Sequence, residues 1–389
     1  MARASRSSLR FTHLRLKNWR NFREVDLDLD RRAFFVGPNA SGKSNLLDAL
    51  RFLSEIARPG GGGLQAAIDQ RLGFSAIRCL HARKQPWIEM DVSIGTDDDP
   101  KAWRYRLQIN RKPGEKFPTV AEEEVWRGNE KVAGQLRETT ADAFQYRQTL
   151  MEQAARSVEF RELAEFFESC RYLHVVPQIV RDRDRAHKVG EDPYGGDLLR
   201  RMKAMPKKTR DPRLKRISKA LGLAVPQFNG LTLEDDADGV PHLKAAFEHW
   251  RGRASNQPEG MFSDGTLRLI GLLWSISEKG GTLLLEEPEL SLNDAVVSQL
   301  PQMFSNMQKL SSRQVIATTH SPALLGDDDI GLTEVHLILV DSDGSHVETI
   351  SDNKMIAAQV GGGMTISQAV FPLLAPSGIE NFGKVVLAG

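Results

Sequence analysis

Gly37-Pro38-Asn39-Ala40-Ser41-Gly42-Lys43-Ser44 reads as a complete GxxxxGK[ST] phosphate-binding loop, entered from the apolar run Ala33-Phe34-Phe35-Val36. The context such a motif needs is present: a buried-strand pattern precedes it, and Asn45-Leu46-Leu47-Asp48-Ala49-Leu50 continues with helical apolar spacing. Glycines let the backbone curl around a phosphate, successive N–H groups and the helix N-terminus point at it, and Lys43 adds a point charge. Ser44 is placed to hold Mg²⁺. The expectation is a nucleoside triphosphate on an α/β scaffold.

Three later segments refine this. Met261-Phe262-Ser263-Asp264-Gly265-Thr266 opens an amphipathic helix through Leu267, Ile270, Leu273, Trp274 and Ile276, which Gly280-Gly281 stops. Thr282-Leu283-Leu284-Leu285 reads as a buried strand ending in Glu286-Glu287-Pro288-Glu289, a Walker B pattern with carboxylates at the strand edge where open α/β sheets bind ligands. Val315-Ile316-Ala317-Thr318-Thr319 then delivers His320, followed by Ser321-Pro322.

P-loop, a signature Ser-x-Gly, Walker B with trailing glutamate, then histidine is the order that resembles ABC-type ATPase heads. The similarity is to the soluble branch: RecF-like heads, heads of structural maintenance of chromosomes (SMC) proteins, and prokaryotic ATPases related to the overcoming-lysogenisation-defect family. Phe11-Thr12-His13-Leu14-Arg15-Leu16-Lys17-Asn18-Trp19-Arg20-Asn21-Phe22 resembles the strand and turn with which those heads begin. The implied fold is a P-loop NTPase head with an antiparallel β-subdomain and a helical insertion. Its expected parts are an amino-terminal lobe over 8–135, an α-helical insertion over 136–224, and a carboxy-terminal lobe over 225–389.

The resemblance also implies a homodimer with ATP sandwiched between two heads. Residues 37–44, Asn45 and Arg20 would contact the nucleotide of their own chain, and Ser263 and Gly265 that of the partner. Glu286 is assigned with Ser44 to the Mg²⁺ shell, Glu287 to polarising the attacking water, and His320 to the γ-phosphate as a switch. Glu286 departs from the aspartate more usual in the family. Asp264 departs too, because a carboxylate near a γ-phosphate repels it unless directed away. A γ-phosphate-sensing glutamine is also implied, with Gln65, Gln70 and Gln85 as candidates.

The remainder of the chain is consistent with a globular enzyme. Of 389 residues, 40% are hydrophobic and 26% charged, which excludes a disordered or fibrous chain. No apolar stretch approaches the ~18 residues of a membrane span, and the first residues lack a signal-peptide core, so a cytoplasmic protein is expected. Cys79 and Cys170, without metal-ligand spacing, read as buried thiols. Alternation at Ile88, Met90, Val92 and Ile94 and at Trp103, Tyr105, Leu107 and Ile109 predicts a β-meander. From Thr139 the spacing of Leu150, Ala154, Val158, Leu163, Phe166 and Phe167 turns helical.

Net charge is only +1, yet Arg200, Arg201, Lys203, Lys207, Lys208, Arg210, Arg213, Lys215 and Arg216 cluster against Asp211, with Arg181, Arg183, Arg185 and Lys188 upstream. This segment is a candidate nucleic-acid contact, or a solvated helix face. A Toprim nuclease opening at Val340-Asp341-Ser342-Asp343-Gly344 is not expected, with 46 residues after Asp343; a hairpin between 335–340 and 346–350 is the expected reading. Two functions follow: an ATP-hydrolysing head in DNA repair or anti-phage defence, or a nucleotide-gated module controlling a separate effector protein such as a nuclease or toxin.

Overall fold

A computed structural model describes residues 8–60, 62–81, 85–138, 142–182, 190–248, 254–342, 344–376 and 378–384. Thr139, Arg183, Arg185, Lys188 and Asp343 lie outside them. The strands are β1 (Arg10–Trp19), β2 (Phe22–Asp28), β3 (Arg32–Val36), β4 (Trp87–Gly95), β5 (Trp103–Asn110), β6 (Thr119–Arg127), β7 (Glu130–Leu136), β8 (Arg171–Leu173), β9 (Phe228–Asp235), β10 (Pro241–Glu248), β11 (Ala254–Pro258), β12 (Leu283–Glu286), β13 (Val315–Thr319), β14 (Val335–Asp341) and β15 (Gly344–Thr349).

Twelve of them form one mixed sheet, ordered β7-β6-β5-β4-β1-β2-β15-β14-β3-β13-β12-β8. Its β14-β3-β13-β12-β8 part is parallel. The continuous apolar runs of this part follow from burial on both faces. In β3, Ala33 and Phe35 enter one core and Phe34 and Val36 the other; Leu284 and Ile316 repeat the first pattern, Leu283, Leu285 and Ala317 the second. The P-loop helix, Lys43–Ala57, fills the first core with Leu46, Leu47, Leu50 and Leu53. The signature helix, Asp264–Ser277, fills the second with Leu267, Ile270 and Trp274.

The other half of the sheet is the expected antiparallel meander, β4 to β7, with β1 and β2 joining it to the parallel half through β15. The hairpin at 335–350 is likewise as read, with His336 opposite Thr349 and Asp341 opposite Gly344.

Residues 136–224 depart from a purely helical insertion. Arg171–Leu173 forms β8, the parallel edge strand beside β12. A three-residue strand has too little period for the sequence to reveal it. Val158 is 81% exposed, because the chain bends between the 3₁₀ turns of Met151–Arg156 and the helix Arg161–Ser169 that packs on the P-loop helix. The basic segment forms two helices, Leu198–Ala204 and Lys207–Ala224; the second packs on β9 of a separate sheet, β11-β10-β9. Cys79 and Cys170 are buried free thiols, and burial pushes the Cys170 thiol up to about 12.

Candidate functional site

The three motif-bearing strands β3, β12 and β13 are parallel neighbours, with Thr319 level with Val36 and Glu286 level with Thr318. The P-loop, the Walker B carboxylates and His320 therefore leave the same sheet edge, which is where doubly wound folds bind ligands.

Within the loop, Ala40 and Gly42 take left-handed backbone, φ 63° and 106°, on either side of Ser41, a reversal of the kind that turns successive N–H groups inward. Gly42 is sterically obligatory as well, since a Cβ there would lie 2.2 Å from Asn21 Nδ2. Asn21 is the external brace of the cradle: Nδ2 donates to Ser41 O (2.8 Å) and Ser345 Oγ (2.7 Å), and Oδ1 accepts from Asn45 Nδ2 (2.8 Å). Trp19 Nε1 donates to Asn45 O at 2.7 Å. Gly37 and Ser41 are buried and Pro38 is half-buried, while Asn39, Ala40 and Ser44 are exposed.

Lys43 Nζ donates to Gly37 O (2.9 Å) and Pro38 O (3.1 Å). Burial holds its pKa below the usual lysine value, partly offset by Glu287, Glu289 and Glu286. A phosphate anion would favour the charged form that burial penalises. Ser44 Oγ donates to Glu286 Oε1, and Tyr172 Oη donates to Glu286 Oε2. Burial pushes the Glu286 carboxyl up, with Glu287 adding like-charge repulsion against the Ser44 hydrogen bond.

Glu287 sits at φ 44°, a left-handed conformation unusual for a residue with a side chain, anchored by its N–H to Thr318 O (3.1 Å). Its Oε1 is 3.2 Å from His320 Nδ1. Glu289 is structural by contrast: buried, its Oε1 accepts from Thr319 Oγ1 (2.6 Å) and His320 N (3.1 Å), fixing the turn that carries the histidine.

Ser263 is the N-cap of the signature helix, its Oγ accepting from Thr266 N at 3.2 Å. The Thr266 amide is thus committed to the cap. Gly265 is required by its own chain, since a Cβ there would lie 2.4 Å from Ser291 O. Asp264 is held in an ion pair, its Oδ1 accepting from Arg181 NH2 at 2.7 Å, and the same NH2 donates to Phe262 O at 2.7 Å.

Arg20 is committed elsewhere than at the loop. Its Nε (2.9 Å) and NH2 (2.6 Å) both donate to Asp48 on the P-loop helix, where Arg71 also donates. None of the three candidate glutamines bonds to the loop: Gln65 donates to Pro118 O and Arg147 O, Gln85 accepts from Asn18, and Gln70 lies in the cleft between the P-loop helix and β8. The glutamine that the topology brings to this edge is Gln178, just beyond β8, with Nε2 3.4 Å from Asp264 Oδ2. The sequence gives no hint of these roles for Tyr172 and Gln178; Asn21 lies in the amino-terminal turn that resembles the heads, and Arg181, expected with the basic run, is bound instead to Asp264 and Phe262 O.

The basic segment divides on inspection. Arg213 is buried with its guanidinium 4.9 Å over the Trp274 ring, Arg201 pairs with Glu278, and Lys203 pairs with Asp235. Lys207, Lys208, Lys215 and Arg216 are exposed, and the first and third of these line a groove of about 410 Å³ between their helix and β9.

No helix among the described residues is long and apolar enough to cross a membrane. In comparison with solved structures, the fold resembles the Smc head domain with an extended coiled coil bound to the C-terminal domain of ScpA, derived from Pyrococcus furiosus. That likeness has a TM-score of 0.55 at 13% identity, over 91% of this chain and 100% of that one. The SmcHead bound to the C-winged helix domain of ScpA gives 0.54 at 14% identity, over 87% and 97%. Both likenesses are of fold. In sequence, the chain is 33% identical over 94 residues to the DNA replication and repair protein RecF of Lactobacillus gasseri, covering 24% of this chain and 25% of that protein. It is 54% identical over 43 residues to RecF of Leptospira interrogans, 11% and 12% of the two chains. The chain thus spans no more than about a quarter of the length of these curated relatives. A family profile described as "AAA domain, putative AbiEii toxin, Type IV TA system" matches residues 32–326, well over half of the sequence, and the chain belongs to that AAA-domain family.

Proposed function

We propose that this chain binds ATP with Mg²⁺ and hydrolyses it in a closed homodimer. The observation that supports this best is the convergence of Lys43, Ser44, Glu286, Glu287 and His320 on one edge of three parallel strands. Phosphoryl transfer to water needs positioning and charge neutralisation more than covalent chemistry, and these residues supply both.

In this reading the cradle 37–44 holds the β-phosphate, and Lys43 exchanges its two carbonyl partners for phosphate oxygens. Ser44 and Glu286 offer a hydroxyl and a carboxylate already in contact, a hard-oxygen pair that fits Mg²⁺ completed by phosphate oxygens and water. Bound there, the cation would neutralise charge on the β- and γ-phosphates. Glu287 orients and polarises the attacking water. His320, hydrogen-bonded to Glu287, holds that carboxylate and reaches toward the γ-phosphate. Ser263 and Gly265 serve the nucleotide of the second copy, and Arg181 and Gln178 keep the Asp264 carboxylate turned from it.

The biological setting we infer is prokaryotic DNA repair or anti-phage defence. The RecF similarity supports the former, and the toxin–antitoxin wording of the family description the latter. That wording also favours a second reading, in which slow turnover times the release of a separate effector. Steady-state hydrolysis with and without DNA separates the two: stimulation by DNA supports a repair enzyme, and slow, DNA-independent turnover with retained dimerisation supports a timer. Absence of ATP binding would overturn both.

A further inference from the structure

Glu286 is one methylene longer than the aspartate usual at its position, and a longer carboxylate has an additional torsion to fix before it can hold a cation in one place. Two donors fix it here, one on each oxygen. Ser44, on the P-loop helix, holds Oε1, and Tyr172, on β8, holds Oε2.

The position of Tyr172 follows from strand register. It pairs with Leu284, so it shares a sheet face with Leu284 and, two residues on, with Glu286; such diagonal neighbours are within reach of a long aromatic side chain. That face is the one covered by the P-loop helix. The phenol ring is held in turn by Arg51 of that helix, whose guanidinium lies 5.1 Å over the ring centroid while its Nε bonds Glu55 at 2.7 Å. His174, next but one along the chain, has Nδ1 3.3 Å from the Glu286 backbone oxygen. A ring clamped on one face, with its hydroxyl on the oxygen that Ser44 does not use, is an arrangement for orienting that carboxylate.

We propose that Tyr172 is a positioning residue for Mg²⁺, acting through Glu286. The hydrogen bond to Oε2 fixes the carboxylate plane so that Oε1 stays beside Ser44, and it makes the edge strand β8 part of the metal site. The proposal rests on the ATP reading above, and removing such an outer hydrogen bond typically costs a site about tenfold or more in metal affinity.

The test is Mg²⁺-dependent binding of a fluorescent ATP analogue, followed by anisotropy at fixed nucleotide, with an arm in EDTA. Tyr172→Phe keeps the ring and its stacking on Arg51. It is expected to raise the half-saturating Mg²⁺ concentration about tenfold, with nucleotide binding in EDTA and the ligand-free melting temperature unchanged. Glu286→Asp, too short to keep both partners, should make a later Tyr172→Phe change nearly silent. Unchanged half-saturation in Tyr172→Phe, or additive effects of the two changes, would overturn the role of Tyr172 while leaving the ATP reading standing. A wild-type protein with no Mg²⁺-dependent nucleotide binding would overturn both.

Discussion

The P-loop helix and the signature helix both begin at a tight turn, yet their N-termini are finished in opposite ways. The P-loop helix starts from left-handed Gly42 with no side-chain cap and no acidic residue in its first turn, and it is braced from outside by Asn21 and Trp19. Its first N–H groups and its dipole are left for an anion. The signature helix is capped by its own Ser263 and carries Asp264 in its first turn. That combination suits a helix in water and opposes a phosphate. One terminus is ready for phosphate as folded, whereas the other, under the proposed function, would take part only with a second copy that supplies one and with Arg181 holding the Asp264 carboxylate aside.

The largest expected effect breaks the open terminus. Gly42→Ala places a Cβ against Asn21 at a left-handed backbone position, and Lys43→Ala removes the cation. Either should lower ATP affinity by about 10- to 100-fold, the worth of charge-assisted hydrogen bonds. Equilibrium binding of labelled ATP reads this, and neither change should affect the signature helix.

Next in size is a test of sharing between copies. Lys43→Ala and Ser263→Ala chains, each nearly inactive alone, should recover activity when mixed, because one of the two sites in a heterodimer keeps both an intact cradle and an intact signature. Ser263→Ala is preferable to a change at Gly265, where any side chain strikes the chain's own Ser291 carbonyl. Mixtures no more active than their components would place Ser263 in a purely structural role.

A smaller effect sharpens the contrast in bracing. Asn21→Ala removes three hydrogen bonds around the cradle and should cost about 1 to 3 kcal/mol of thermal stability, together with a several-fold loss of ATP affinity. Arg181→Ala should leave ATP binding by the single chain unchanged and slow only hydrolysis, since it releases Asp264 toward the shared phosphate.

These variants also mark how far the sequence reaches. The cradle was legible because its chemistry is local: eight consecutive residues carry the turn, the charge and the helix start. The Walker B strand and His320 were legible because buried parallel strands read as unbroken apolar runs. The braces were not. Asn21, Tyr172, Gln178 and Arg181 act on residues 20 to 324 positions away along the chain, and nothing in their neighbours' spacing reports on that. The basic cluster misled for the same reason, since the sequence counts Arg213 as surface charge while the fold lays it over Trp274.

The smallest effect asks whether a helix flank supplements the helix ends. Reversing Lys207, Lys208, Lys215 and Arg216 to glutamate should weaken duplex binding uniformly across sequences and flatten its log–log salt dependence by about 0.9 per lost contact. ATP hydrolysis without nucleic acid and the melting temperature should not change. Arg213→Glu should instead destabilise the fold. An unaltered salt slope in the fourfold variant would make the flank a solvated face.

If the edge shared by β3, β12 and β13 is a hydrolytic site, the Glu287 carboxylate polarises its water and is needed for hydrolysis, not for binding. Single-turnover hydrolysis and ATP binding of Glu287→Gln, measured side by side with wild type, test this most directly. ATP binding should be unchanged, the dimer still ATP-stabilised and hydrolysis slower by about 100-fold, in the range for loss of a positioned general base. Wild-type hydrolysis by Glu287→Gln would contradict this role.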